Sequence, residues 1–304
     1  QEIVARLHQA GLEAQRRDRT SVAQVAVVID ERAVAPMRLN APFQQALILD
    51  SVAACFPAGA PVACHELALF LRHADPGRYR FVYFPNLGWM DDGTRAALAR
   101  WKGGGRTLLF TYAPGYAQGG PAERSFSAAA ASAVAGMRLA ETREASPLTV
   151  WVDPARAALL PDGADLRYGW LNPEIAARPL LCVDDPAAEA LGYLRSGAVG
   201  LARRRHADWT AVFSAAPLMP PALLRALFRD AGVHIYAEGN DVVYANAGMV
   251  ALSASAAGDR TLRLPRPARL TDALSGETLA CDARQGVTLA MRRHETRIFW
   301  VEGT

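Results

Sequence analysis

Residues 25–30 read Val-Ala-Val-Val-Ile-Asp, an unbroken apolar run closed by a carboxylate. A strand with one wet face alternates apolar and polar residues. A run apolar on both faces must be covered on both faces, which is the setting of a central strand in a parallel sheet. That commits the chain to a layered α/β architecture, with Asp30 at the carboxyl end of its strand.

The pattern then repeats. Residues 43–56 place Leu47, Ile48, Val52 and Cys55 on one helical face, and 79–84 read as a strand closing on Pro85-Asn86. Asp91 or Asp92 caps a helix through Trp101, stopped by Gly103-Gly104-Gly105. Further strands are expected at 107–111, 149–152, 180–183, 198–202 and 209–214. Pro220-Pro221 opens a helix that turns Leu223, Leu224, Leu227 and Phe228 inward and ends at Gly232. Strands alternating with helices in this way predict a doubly wound parallel sheet. From Val242 only short strands follow, with turns at Gly258, Pro265, Ser275-Gly276 and Gly286. A hairpin is expected around Arg293-His294-Glu295. The division read from this is a lead-in helix over 1–20, an α/β domain over 21–245 and a small all-β domain over 246–304.

Composition excludes several classes. At 304 residues, 51% hydrophobic and 21% charged, the chain has ample material for a core. A net charge of +3 gives no footprint for nucleic acid, and the basic side is almost all arginine, Lys102 being the only lysine. Charges interrupt every apolar run before the ~20 residues a membrane span needs. The start lacks the basic, apolar, small-residue order of a secretory signal. It opens on Gln1, already in helical pattern, which reads as a fragment or a processed product. Compartment stays open, with the cytoplasm the slight preference. Cys55, Cys64, Cys182 and Cys281 are scattered, without metal-ligand spacing, and read as buried small hydrophobes. No cofactor or metal is expected.

Ligands of open α/β sheets sit beyond the carboxyl ends of the strands. That selects Asp30, Glu31, Asn86, Tyr112 and Ser214. The plainer role for Asp30 and Asn86 is to cap the turns after their strands. A nucleophile turn, the strongest sign of acyl chemistry, would follow the strand at 107–111, but its centre reads Ala113-Pro114, and neither can attack a carbonyl. Cys64-His65-Glu66 has the residue types of a triad, yet neighbours on a strand point to opposite faces, so at most His65 joins the crevice. Asp184-Asp185 suits a metal or acid/base pair, or a loop and helix cap. Arg203-Arg204-Arg205-His206 reads as a solvated turn between strands. His234 and Tyr236 share one face near the domain junction, where a satisfied histidine is the plainer reading.

With these segments in order, the chain resembles the C-terminal part of family-42-type β-galactosidases. The segments that carry the likeness are AVVIDERA (26–33), FVYFPNLGWMDDGTRAAL (81–98), LLFTYAPGY (108–116), WTAVFSAAPLMPPALLRALFRDAGVHIYAEGNDVVYAN (209–246) and GDRTLRLPRPARLTDALSGE (258–277). The resemblance implies a flavodoxin-like, class I glutamine-amidotransferase-like domain and a small β domain that follow a catalytic barrel. It further implies that these domains serve trimerisation rather than catalysis. The barrel and its paired glutamates are absent from this sequence. If sugar is contacted, Asn86, Trp89, Tyr112 and Tyr116 at the strand ends are the natural groups. The alternative from the residues is an independent hydrolase of a carbohydrate ester or amide.

Overall fold

The structure is a computed structural model that describes residues 2–33, 41–120, 123–142, 148–153, 155, 167–170 and 179–303. Its main sheet opens with β1 (Val25–Ile29), β2 (Val62–Glu66), β3 (Phe81–Phe84) and β4 (Arg106–Thr111). After the small hairpin of β5 (Ala117–Gln118) and β6 (Ser125–Phe126), it continues with β7 (Leu139–Thr142), β8 (Thr149–Val152), β9 (Arg167–Gly169), β10 (Leu180–Val183), β11 (Glu189–Leu194), β12 (Val199–Arg205) and β13 (Trp209–Ser214). The order is β2-β1-β3-β4-β13-β12-β11-β8-β9. From β2 to β13 every pairing is parallel. β1, β3 and β4 lie inside this half and are buried almost throughout, as the unbroken apolar runs of β1 and β3 and the Leu108–Phe110 centre of β4 require.

The second half of the sheet departs from the sequence expectation. β12 pairs antiparallel with β13 and β11, and β11 pairs antiparallel with β8. For β11–β12 and β12–β13 the cause is connection length. Residues 195–198 and 206–208 are hairpin loops, too short for the crossover that a parallel pair demands. The arginine run also moves. Arg203, Arg204 and Arg205 belong to β12 rather than to a solvated turn, and Arg203 is held by Glu189 and Asp230, each at 2.6 Å.

Helices pack on the parallel half. Asp91 accepts from Thr94 N at 2.6 Å and caps the helix Asp92–Ala99. Pro221 starts the helix Pro221–Asp230, which buries Leu223, Leu224, Leu227 and Phe228 as expected, and Arg225 as well. The helix expected over 43–56 is broken into an α turn Ala41–Gln45, a π turn Ala46–Asp50 and an α turn Ser51–Ala53. Ser51 Oγ donates to Ala46 O at 2.7 Å, a side chain entering the backbone ladder where the π turn widens it.

Beyond Tyr236 lie β14 (Val242–Asn246), β15 (Met249–Ser253), β16 (Gly258–Leu262), β17 (Ala268–Asp272), β18 (Thr278–Cys281), β19 (Val287–Met291) and β20 (Thr296–Gly303). Five form an antiparallel sheet, β14-β15-β20-β17-β18, and β16 pairs with β19. The expected hairpin around Arg293–Glu295 is therefore not one. His294 turns the chain with φ +64°, and β19 and β20 leave it for different sheets. One hydrophobic cluster runs from Val25 to Ile235 and a second from Tyr236 to Phe299. Gly59 joins them: its carbonyl accepts from Tyr236 N at 2.7 Å, and at φ +86° a Cβ would stand 2.0 Å from Ala237 O. No helix among the described residues is long and apolar enough to cross a membrane.

Candidate functional site

At the carboxyl ends of the parallel strands, Asn86 joins β3 to β1. Its Nδ2 donates to Asp30 O at 2.8 Å, and its Oδ1 accepts from Asp30 N at 3.0 Å. The amide thus completes the ladder where the strands splay, a capping role between strands rather than within one turn. The Asp30 carboxylate is fully buried. Burial pushes its pKa up, opposed by Arg32, whose backbone N and Nε both lie 3.0 Å from Asp30 Oδ1. Arg32 also approaches Asp91 at 3.5 Å and sits over the Trp89 ring at 5.3 Å. Asp30 is therefore engaged by Arg32 on both carboxylate oxygens, at 3.0 Å on Oδ1 and 3.3 Å on Oδ2.

Tyr112 follows β4 in the left-handed region, φ +68°, a conformation bulky residues adopt only under constraint. Its N–H donates to Ser214 O at 2.8 Å, and its ring meets Phe43 edge-on at 5.0 Å. The strained position at this strand end is thus Tyr112, one residue before the Ala113-Pro114 centre read from sequence. Among the described residues its buried hydroxyl has no partner, and burial raises its pKa, so at neutral pH it is a protonated phenol and no nucleophile. Gln44, Leu47, Asn86, Thr111, Tyr112 and Ala113 enclose the crevice beside it, whose volume of about 20 Å³ admits about one water.

The structure brings together Asp30, Asn86 and Tyr112 here, with Trp89 at the rim and Ser214 behind. Trp89 is half-buried and donates from Nε1 to Gly119 O at 2.9 Å. Ser214 Oγ donates to Ala216 O at 2.7 Å and lies 2.8 Å from Tyr168 OH, fully buried. Glu31 is exposed in a 3-10 turn. Tyr116 donates to Glu141 at 2.7 Å; burial and that carboxylate push its phenol up to about 12.

Other candidates stand apart. His65 Nε2 lies 2.8 Å from Tyr79 OH and packs on Phe70, with its pKa lowered by burial and then by Arg78. Cys64 is exposed on the edge strand, and Glu66 caps the helix Leu67–His73 through Ala68 N and Leu69 N. These three do not form a triad. Asp184 pairs with Arg138 and Asp185 with Arg204. His234 and Tyr236 meet edge-on at 4.8 Å at the junction of the two clusters. Among the described residues, no three His, Cys, Asp or Glu side chains converge as metal ligands.

Arg32 was not singled out from the sequence. Its signal is an arginine two residues after a strand-end aspartate, where the Asp side chain takes the i+2 backbone N–H. The apolar spacing around the crevice wall from Gln44 to Ile48 predicts only helix; its π turn has no sequence mark beyond Ser51.

A parallel α/β sheet with an antiparallel wing and a following β part is a fold shared with sections of several large glycoside hydrolases. The β-galactosidase from Bacillus circulans sp. alkalophilus superposes with a TM-score of 0.61 at 16% identity, covering 93% of this chain and 42% of that one. A GH42 β-galactosidase from G. stearothermophilus gives 0.59 at 14% identity, over 92% and 40%. The α-L-fucosidase isoenzyme 2 from Paenibacillus thiaminolyticus gives 0.56 at 13%, over 96% and 50%. The chain thus spans half or less of the length of these enzymes. No protein-family model matches the sequence, and neither does any curated protein.

Proposed function

We propose that this chain is a non-catalytic assembly module of a carbohydrate-active enzyme of the β-galactosidase kind. In this reading, residues 21–245 form a flavodoxin-like, class I glutamine-amidotransferase-like domain, preceded by a lead-in helix over 1–20. Residues 246–304 form a small β-sandwich-like domain. The module builds a homotrimer, and the reaction belongs to a catalytic barrel outside this sequence. The observation that carries the reading is the strand end at Tyr112. The strained backbone position holds a buried phenol followed by Ala113 and Pro114, none of them a nucleophile, beside a crevice with room for about one water. Support for the fold assignment comes from the five parallel strands, which taken in chain order lie 2-1-3-4-5, the order of flavodoxin-like sheets. The similarity to β-galactosidases over two-fifths of their length supports the setting.

The test is to assay β-galactoside and aryl-ester hydrolysis by the 304-residue chain alone. No turnover of either is expected. Turnover that disappears in Asp30→Asn or His65→Ala would overturn the reading in favour of an independent hydrolase.

A further inference from the structure

A second, roomier cavity is remote from the strand-end crevice. It lies against the second hydrophobic cluster, with Gln24 and His234 also in its wall, and has a volume of about 780 Å³. That is within the range of roughly 300–1,000 Å³ typical of small-molecule sites. Val22, Val250, Leu264 and Val301 give it apolar walls, and Pro265-Arg266-Pro267 forms an exposed lip. Proline on either side restricts the backbone that carries Arg266.

Its polar groups are unevenly spent. Tyr236 is 5% exposed, and nothing among the described residues hydrogen-bonds its hydroxyl. Burial pushes that phenol up to about 12, so it remains protonated at neutral pH. Gln24 Oε1 accepts from His234 N at 2.9 Å, which leaves its NH₂ to donate. Asn246 does the same, its Oδ1 accepting from Gly248 N at 3.0 Å. His234 Nε2 is 3.1 Å from Arg263 O, and a carbonyl can only accept, so Nε2 donates. No carboxylate is among the described lining residues. The cavity therefore offers several donors, one cation and apolar walls.

We infer that this cavity binds a small anionic sugar, a hydroxylated ring bearing a carboxylate, with the carboxylate on Arg266 and ring oxygens on Tyr236, Gln24 and Asn246. A neutral apolar ligand would leave those donors unpaired, and an inorganic anion would leave the apolar walls uncovered. The inference does not rest on the assembly reading: an assembly module or an independent enzyme could each carry such a site.

Galacturonate, galactose and inorganic phosphate, titrated separately into the methyl-labelled 304-residue chain, test it. Galacturonate is expected to shift the Val22, Val250 and Val301 methyls. Galactose should bind about tenfold more weakly, the loss of one charge-assisted hydrogen bond. Phosphate should shift none of these methyls. Arg266→Ser, on the exposed lip, should reduce galacturonate to the affinity of galactose, and Tyr236→Phe should weaken both sugars. Absence of galacturonate shifts, shifts confined to other methyls, galactose binding as tightly as galacturonate, or phosphate reproducing the same shifts would each overturn the inference. If Tyr236→Phe unfolds the chain, Arg266→Ser alone decides.

Discussion

Asn86 and Asp30 form the tightest-coupled pair at the strand ends, and each makes its own prediction. Asn86→Ala leaves the buried N–H and C=O of Asp30 without partners. The expected loss is about 2–4 kcal/mol of unfolding free energy, measured by urea titration. A loss below about 0.5 kcal/mol would show that the bridge is dispensable. For Asp30, burial holds the folded pKa above the ordinary 3.8 despite Arg32. A carboxylate raised in this way binds more protons in the folded chain than in the unfolded one. Its stabilising contribution is full below pH 3.8 and is lost as pH rises through the raised value. Relative to wild type, Asp30→Asn should therefore gain stability as pH rises from 3.8 through the raised value. A constant difference across that interval would contradict the assignment. Sequence placed both residues correctly at strand ends, because the apolar runs mark where the strands stop. It could not show that Asn86 spends both ends of its amide on Asp30, since that depends on how the strands splay in space.

Among elements, the connections decide more than the strands do. The apolar runs of β1, β3 and β4 made the parallel half legible, because burial on both faces leaves no polar alternation. The antiparallel pairings of β11–β12 and β12–β13 follow from loop lengths instead, since three or four residues cannot carry a crossover. Arg203–Arg205 misled for a related reason: charge reads as solvent exposure until Glu189 and Asp230 are brought opposite by β11 and the helix Pro221–Asp230. The junction rests on Gly59, where Arg225 donates to Pro57 O at 2.9 Å and Gly239 O at 2.7 Å nearby. Gly59→Ala drives a Cβ into Ala237 O at a left-handed φ. It should cost about 3 kcal/mol or more, seen as a lowered urea midpoint. An unchanged midpoint would mean that the two clusters do not depend on this close approach.

For the whole molecule, two hydrophobic clusters meet at Gly59, a cavity of about 780 Å³ lies against the second of them, and the strand-end crevice has room for about one water. The near-neutral charge fits a surface that meets copies of itself and polyols rather than a polyanion. The central claim is that the chain assembles rather than catalyses. Its mass in solution, measured by light scattering across a concentration series, tests that claim most directly. A trimer should weigh about three times the 32.7 kDa of the chain. A mass that stays at 32.7 kDa up to the highest concentration would contradict it.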